Sequence, residues 1–179
     1  MSSNPSISIF FPVYNDERTV RQVAEKAVRV CQDIGYQFEV IIINDCSPDR
    51  SGEIADQLAL EYSPYIKVVH HPQNKGYGGA LKSGFAASRY EWICFTDGDD
   101  EYDLEDLYKL IKLKNYYDLI ITFRYKKAYS SLRIFISNVY NIILRFLFKT
   151  KYRDISTGLR LIKKEILTDL QLGCPKRIS

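Results

Sequence analysis

Short apolar runs alternate with longer amphipathic segments along most of the chain. The runs are rich in β-branched and aromatic residues and are bounded by Pro, Gly, Asn or Asp, a pattern that is typical of β-strands. They cover residues 7–13, 38–45, 66–71, 91–97 and 118–123. Because these runs are apolar on both faces, they predict a mainly parallel sheet that is covered by helices on both sides.

The segments between the runs predict the covering helices. Apolar residues recur at helical spacing from Val20 to Ile34, and Gly35 then ends the pattern. Further helices are predicted at residues 51–61, 77–88 and 104–114. A chain of 179 residues with this alternation is expected to form a single α/β domain over residues 1–179.

Polar side chains follow the carboxyl ends of the first four predicted strands. In parallel α/β sheets, ligands bind outside that edge. The residues placed there are Asn15, Asp16, Glu17, Asn44, Asp45, Asn74, Lys75, Asp97 and Asp99. We expect them to converge on one edge of the sheet.

Carboxylates crowd the loop that follows the fourth predicted strand. Asp97 and Asp99 form an Asp-x-Asp pair around Gly98, so both side chains can turn toward one point. Like charges this close repel each other unless something neutralises them. A hard divalent cation, Mg²⁺ or Mn²⁺, is held by one or two such carboxylates together with phosphate oxygens and water. Two interpretations are open: a cation site at Asp97 and Asp99, with Glu101 as a further candidate ligand, or an acidic turn that only ends the strand.

The histidines and cysteines suggest no further metal site. His70 and His71 end the third predicted strand with no second metal-spaced pair nearby, so they are interpreted as structural histidines. The four cysteines are scattered without CxxC spacing. This usage is typical of packing cysteines in a reduced, cytosolic setting.

The charge of the chain is asymmetric although its net value is only +3. Between Arg124 and Arg153 there are many basic residues and no acidic residue. Such a segment favours an anionic partner, namely nucleic acid, a phosphorylated ligand or a membrane surface, over a merely solvated face. Nucleic acid is disfavoured, because the acidic loop would face the same anion and no known binding module is present.

Residues 131–148 predict an amphipathic helix within this basic segment. Arg133, Ser137, Asn141 and Arg145 recur at every fourth position and therefore lie on one side. Aliphatic and aromatic residues cover the opposite side. That face fits either packing in the core or insertion into a membrane interface. No stretch of the sequence is an uninterrupted apolar span of membrane length, and the N-terminus lacks the features of a signal peptide.

Five motifs, taken in order, resemble those of the inverting nucleotide-sugar glycosyltransferases of family 2. They are FPVYNDE, IIINDCSPDRSGE, NKGYGGALKSGFAAS, TDGDDEYDLEDL and DISTGLRL, within about residues 6–170. The likeness is strongest to the branch of dolichol-phosphate mannosyltransferases and bacterial polyprenyl-phosphate glycosyltransferases. It implies a GT-A fold and metal-dependent transfer of a sugar from a UDP- or GDP-sugar to a polyprenyl phosphate at the cytoplasmic face of a membrane. Members of that branch usually continue beyond the STGLR motif, so the chain is expected to be a truncated or a short member.

The resemblance also implies roles for individual positions. The nucleotide-binding positions match Pro12, Tyr14, Asp16 or Glu17, Asp45 and Lys75. The metal-binding pair matches Asp97 and Asp99, and Glu101 stands where this branch often has a glutamine. The positions that contact the lipid phosphate match Arg124, Arg133 and Ser137. Arg160 matches a position beside the active site, close to the donor phosphates.

The expected chemistry agrees with these roles. A bound divalent cation stabilises the charge that develops on a leaving nucleoside diphosphate. A phosphate acceptor is already an anion and needs no general base, whereas a hydroxyl acceptor needs one. Two alternatives remain open: a family 2 transferase with a sugar-hydroxyl acceptor, and a non-catalytic module that binds a nucleotide or a membrane.

Overall fold

The computed structural model describes residues 5–98, 103–122 and 159–169. Within these ranges the strands are β1 Ser6–Val13, β2 Gln37–Asn44, β3 Ile66–His70, β4 Trp92–Phe95, β5 Leu119–Ile121 and β6 Arg160–Lys163. The helices are α1 Val20–Ile34, α2 Ser51–Glu61, α3 Gly76–Ala87, α4 Leu107–Leu113 and α5 Glu165–Asp169. A 3₁₀ turn at Leu104–Asp106 precedes α4.

The strands form one mixed sheet in the order β3-β2-β1-β4-β6-β5. Strand β1 pairs in parallel with β2 and β4, and β2 pairs in parallel with β3. Strand β6 is antiparallel to both of its neighbours. The prediction of a mainly parallel α/β sheet is therefore confirmed. Because the strand order reverses at β1, a crevice is expected outside the carboxyl ends of β1 and β4.

Strand β6 is a sixth strand beyond the five that were predicted, the last of which was the segment at 118–123. Residues 160–163 pair with both β4 and β5. The sequence of β6 is RLIK, and two apolar residues between charged ones do not form the apolar run that indicates a buried strand. The predicted helix at 104–114 is also divided, since its first turn is the 3₁₀ turn.

Helix α1 confirms its predicted bounds at both ends. Its apolar stripe, which includes Val23 and Ala27, is buried against the sheet. Gly35 has a φ of 74° and donates its N–H to the carbonyls of Cys31 and Gln32. Left-handed backbone of this kind favours glycine, which has no Cβ to clash, and it ends the helix.

Helix α3 packs against the other face of the sheet through aromatic contacts. The Phe10 ring lies 5.4 Å from the Phe95 ring and 5.1 Å from that of Phe85, measured between centroids. A Cβ added to Gly84 would lie 2.2 Å from the Phe10 ring, so only glycine allows this close approach. The contact fixes α3 on the sheet, with its first turn at the carboxyl edge of the strands.

The described cysteines mostly pack in the core, as expected. Cys31 and Cys94 are buried free thiols, and Cys46 is an exposed one. Burial raises the pKa of Cys31 to about 12 and raises the pKa of Cys94 as well. In the three described ranges, no helix combines the length and the apolar character needed to cross a bilayer.

Candidate functional site

A cavity of about 340 Å³ opens at the carboxyl edge of the sheet. It lies where β1, β2 and β4 end and α3 begins. Its walls are formed by Pro12, Tyr14, Asp16, Asp45, Asn74, Gly76, Tyr77, Ala80, Asp97 and Gly98. Carboxylates from three separate loops thus share one cavity, whose volume is within the usual range of sites for small molecules.

The loop after β1 places Asp16 in the wall of this cavity. The Asp16 carboxylate accepts a 2.9 Å hydrogen bond from the backbone N–H of Tyr14. The Asp16 N–H donates at 2.9 Å to Ser51 Oγ, which itself donates at 2.6 Å to Asp49 Oδ1. The turn is closed by Asn15, whose φ is 63°. The start of α2 therefore holds the loop in place.

The structure places Glu17 differently from Asp16. The Glu17 N–H donates to Asp49 Oδ2 at 3.0 Å, and the Glu17 carboxylate accepts from the Arg50 N–H at 3.4 Å. Asp16 lines both the cavity and a neighbouring surface depression, whereas Glu17 lines only the depression. Of the two candidates for the nucleotide-binding position, this arrangement favours Asp16.

Asp45 follows β2 and is only 3% exposed. Its Oδ1 accepts hydrogen bonds from His71 Nδ1 at 2.6 Å and from the backbone N–H of Lys75 at 2.8 Å. Burial acts to raise the pKa of Asp45, but the hydrogen bonds from His71 and from the backbone of Lys75 and Gly76 outweigh it and hold the pKa below its usual value. Asp45 is therefore an ionised carboxylate that can only accept hydrogen bonds.

The two adjacent histidines connect the end of β2 to helices on opposite faces of the sheet. His70 bridges Asn44 Nδ2 and Asp56 Oδ1 of α2, at 2.9 Å on each side. His71 bridges Asp45 and Ser83 Oγ of α3, the latter at 2.7 Å. These bridges are consistent with the interpretation of both residues as structural histidines, but the contact between His71 and Asp45 was not foreseen. The sequence held one signal of this contact: successive side chains at a strand end point to opposite faces, so His70 and His71 would face different helices.

The loop after β4 brings Asp97 to the opposite wall. Its Oδ1 accepts a 2.9 Å hydrogen bond from the Tyr77 hydroxyl. Thr19 Oγ1 donates at 2.8 Å to the carbonyl of Gly98. A Cβ at Gly98 would lie 2.5 Å from the carbonyl oxygen of Pro12, so the loop packs directly on the end of β1 and only glycine fits there.

The carboxylate of Asp97 has the chemistry that suits a hard divalent cation. It faces a cavity large enough for the phosphates and water that would complete the coordination. The other two predicted ligands, Asp99 and Glu101, lie outside the described residues. Among the residues that are described, no three His, Cys, Asp or Glu side chains form a group that could hold a metal ion.

Arg160 lies beside the start of the acidic loop. It pairs with Phe95 in the antiparallel register of β4 and β6. Its guanidinium carbon lies 5.2 Å from the centre of the Phe95 ring, an arrangement that favours a cation–π contact. Strand β6 thus carries a positive charge to a position two residues before Asp97.

The remaining predicted residues are placed less directly. The Lys75 side chain is exposed and does not line the cavity, and its backbone N–H holds Asp45. Outside the described residues lie Arg124, Arg133, Ser137 and the predicted amphipathic helix at 131–148.

The chain matches one protein family over most of its length and is similar to curated bacterial proteins. The model of "Glycosyl transferase family 2" matches residues 8–171. An undecaprenyl-phosphate 4-deoxy-4-formamido-L-arabinose transferase of Pseudomonas fluorescens is 25% identical over 172 residues, which are 96% of this chain and 50% of the relative. The enzyme of the same name from Pectobacterium atrosepticum is 27% identical over 173 residues, 96% of this chain and 53% of the relative. The chain thus spans about half the length of these curated relatives.

Solved structures share the fold. The mannosyltransferase PcManGT from Pyrobaculum calidifontis, in complex with GDP-Man and Mn²⁺, has a TM-score of 0.68 at 19% identity, covering 97% of this chain and 48% of that one. A glucosyl-3-phosphoglycerate synthase from Mycobacterium tuberculosis, with Mn²⁺, UDP and glucosyl-3-phosphoglycerate, has a TM-score of 0.69 at 20% identity, covering 92% and 58%. At these identities the likeness concerns the fold, and the GT-A fold expected from the motifs is confirmed.

Proposed function

The chain belongs to glycosyl transferase family 2, and from this membership we propose that it transfers a sugar from a UDP- or GDP-sugar to a polyprenyl phosphate. The observation that carries the proposal is the shared cavity, in which Asp45 and Asp97 stand on different walls at the reversal of the strand order. One carboxylate is suited to a nucleobase and the other to a metal-bound diphosphate. The names of the relatives, which give undecaprenyl phosphate, support the acceptor.

The nucleoside would lie between the ends of β1 and β2. Asp45 is ionised and nearly buried, so it would accept hydrogen bonds from ring N–H groups, which uracil and guanine both have. Tyr14 is 51% exposed and lines the same cavity together with Pro12. Its ring offers an apolar surface against which a base can stack. Asp16, held in the wall by the backbone of Tyr14, would accept hydrogen bonds from the sugar hydroxyls.

The diphosphate would lie toward Asp97. Asp97 and Asp99, with Glu101 as a further ligand, would hold Mg²⁺ or Mn²⁺. When bound, such a cation stabilises the negative charge of the departing nucleoside diphosphate. Arg160 is the first residue of β6 and pairs with Phe95 at the end of β4. From there it would add a second positive charge near the donor phosphates.

The acceptor would attack from the side of the basic segment. An oxygen of the polyprenyl phosphate forms the new bond to the anomeric carbon, while the bond from that carbon to the nucleoside diphosphate breaks, so the configuration inverts. The attacking oxygen is already an anion, so no side chain has to remove a proton. Arg124, Arg133 and Ser137 would hold the acceptor phosphate, and the predicted helix at 131–148 would lie at the cytoplasmic face of the membrane.

The proposal is tested by supplying the purified protein with UDP- and GDP-sugars, Mn²⁺ or Mg²⁺, and undecaprenyl phosphate in detergent. Release of nucleoside diphosphate and formation of a lipid-linked sugar are measured together. We expect both products only when metal and lipid phosphate are present. An Asp97→Asn variant should lose the activity, whereas Asp118→Asn, an exposed carboxylate 4.0 Å from Lys163 Nζ, should retain it.

Each alternative predicts a different outcome of this assay. Turnover with a sugar-hydroxyl acceptor, and none with the lipid phosphate, would replace the proposal by polysaccharide synthesis. Absence of turnover, together with nucleotide binding measured by calorimetry on the same protein, would identify a non-catalytic module. Absence of nucleotide binding in every condition would overturn the donor site itself.

A further inference from the structure

We infer that His71 is a positioning residue that orients the nucleotide-binding carboxylate of Asp45 and ties it to helix α3. The inference rests on the proposed function in one respect, since it takes Asp45 to bind the nucleobase. It goes beyond that function because His71 lies outside the family motifs and behind the wall of the cavity.

The geometry around His71 fixes its role as a bridge. Its side chain is only 2% exposed, and its two ring nitrogens contact Asp45 Oδ1 at 2.6 Å and Ser83 Oγ at 2.7 Å. A carboxylate oxygen can only accept, so Nδ1 carries a proton in the neutral and in the charged imidazole alike. The ring is therefore held at both ends in one orientation.

The order Asp–His–Ser resembles the catalytic triad of a hydrolase, but here the aspartate, and not the serine, lines the cavity. In a hydrolase the serine faces the substrate and the buried carboxylate orients the histidine. Here Asp45 lines the cavity, whereas Ser83 is not among the residues that form it. The histidine therefore serves the carboxylate, with Ser83 as its anchor.

Loss of the imidazole would leave the carboxylate incompletely held. Asp45 Oδ1 accepts from His71 and from the Lys75 N–H, and two donors converging on one oxygen restrain rotation of the carboxylate plane. Without His71, the Lys75 N–H would be the main remaining donor and the Asp45 carboxylate could rotate. Nucleotide binding would then have to fix the carboxylate in one orientation, and this entropic cost would weaken the affinity. A hydrogen bond to a charged group is the stronger kind, so the effect should be measurable.

His70 provides a matched control. It is the preceding residue and the last one of β3. It links the end of β2 to a helix in a similar way, but its contacts are Asn44 and Asp56 on the other face of the sheet. Replacing either histidine by glutamine therefore removes a comparable bridge, and only one of the two replacements removes the contact to Asp45.

The experiment is a calorimetric titration of UDP and GDP with Mn²⁺ into the wild type, His71→Gln, His70→Gln, Asp45→Asn and the double variant His71→Gln/Asp45→Asn. We expect His71→Gln to weaken nucleotide binding about tenfold and His70→Gln to leave it within about twofold. In the Asp45→Asn background, the effect of His71→Gln should nearly vanish, because residues that act through one another are not additive. Binding of inorganic pyrophosphate with Mn²⁺ should be the same in the wild type and in His71→Gln.

Several outcomes would overturn the inference. They are unchanged nucleotide binding in His71→Gln, an equal loss in His70→Gln, and an undiminished effect of His71→Gln in the Asp45→Asn background.

If His71→Gln does not fold, Ser83→Ala removes only the anchor and should weaken nucleotide binding in the same Asp45-dependent way. An Nδ1 without a proton, seen by ¹⁵N NMR of the imidazole, would also contradict the bridge. A wild type that binds neither nucleotide would overturn the proposed function and the inference together, whereas normal binding by wild type and variants alike overturns the inference alone.

Discussion

Tyr77 and Asp97 join two walls of the cavity directly, because the hydroxyl of Tyr77 in the first turn of α3 donates a 2.9 Å hydrogen bond to Asp97 Oδ1 after β4. The hydrogen bond orients a carboxylate that is predicted to bind a metal ion. Partners of this kind orient metal-binding side chains, and their loss usually weakens metal binding.

Tyr77→Phe should therefore weaken Mn²⁺ binding in the presence of nucleotide by about tenfold, while the fold is retained. Electron paramagnetic resonance of free Mn²⁺ during a titration measures this affinity without relying on turnover. Tyr116→Phe, at a residue that is 77% exposed, is the control and should leave the affinity unchanged. Equal affinity in Tyr77→Phe would show that the hydrogen bond has no role in metal binding.

Gly98→Ala should disturb the same loop through its backbone. The added Cβ would lie 2.5 Å from the Pro12 carbonyl oxygen, so the loop has to move away from β1 at a cost of about 1–3 kcal/mol. We expect weaker nucleotide and metal binding, measured by calorimetry, together with a lower melting temperature. Gly78→Ala is the matched control, since a Cβ there meets nothing within 4 Å. Unchanged binding in Gly98→Ala would mean that this close approach does not position Asp97.

Glu39 predicts a pH dependence of stability that is independent of the site. It is fully buried and accepts hydrogen bonds from Ser8 Oγ, the Arg89 N–H and Lys67 Nζ at 2.7–2.9 Å. Burial acts to raise the pKa of Glu39, but these hydrogen bonds and the Lys67 charge lower it below the usual value. In acid the unfolded chain therefore binds a proton more readily than the native one.

Glu39→Gln should lower the free energy of unfolding by about 3 kcal/mol at neutral pH. The contribution of Glu39 is complete above the unfolded pKa of about 4.3 and is lost as the pH falls through the lower native pKa. The difference in the free energy of unfolding between variant and wild type, measured by urea denaturation, should thus shrink as the pH falls below about 4.3. Glu53→Gln, in an exposed pair with Arg50, should cost less than about 0.5 kcal/mol at any pH. A pH-independent difference for Glu39→Gln would contradict the assignment of an ionised native carboxylate.

Arg133→Ala tests the predicted division of labour between donor and acceptor. Because Arg133 is expected to contact the lipid phosphate, its loss should raise the KM for undecaprenyl phosphate about tenfold or more, with nucleotide affinity nearly unchanged. Arg29→Ala, on an exposed part of α1, should alter neither quantity. Equal loss of nucleotide binding in Arg133→Ala would show that the basic segment also belongs to the donor site.

The elements predicted most accurately depend on local patterns. Helix α1 was predicted from Val20 to Ile34 and has these bounds, because its apolar stripe and its terminal glycine are encoded within the helix itself. Strand β6 was missed because its pairing partners, β4 and β5, lie far away in the sequence. Its own sequence, RLIK, has a charged residue at each end and so lacks the longer apolar run that indicates β4 and β5.

The candidate site was predictable as a set of strand ends but not as a set of contacts. The convergence of Asp16, Asp45 and Asp97 follows from parallel strands that end at one edge. The contact between Asp45 and His71 depends on the register that pairs Asn44 with His70, which no single run of sequence reveals. The choice of Asp16 over Glu17 likewise depends on Ser51, a residue 35 positions away.

The insertion of β6 between β4 and β5 has a consequence for the order in which the protein is synthesised. Within the described residues, β5 pairs with β6 and with no other strand, yet β5 leaves the ribosome well before Arg160–Lys163. Until that segment emerges, the outer edge of β4 has unpaired N–H and carbonyl groups, the kind of edge on which nascent chains associate wrongly. The strand that carries Arg160 alongside Phe95 is thus also the one that joins β5 to the sheet, so neither arrangement can form before residues 160–163 have been synthesised.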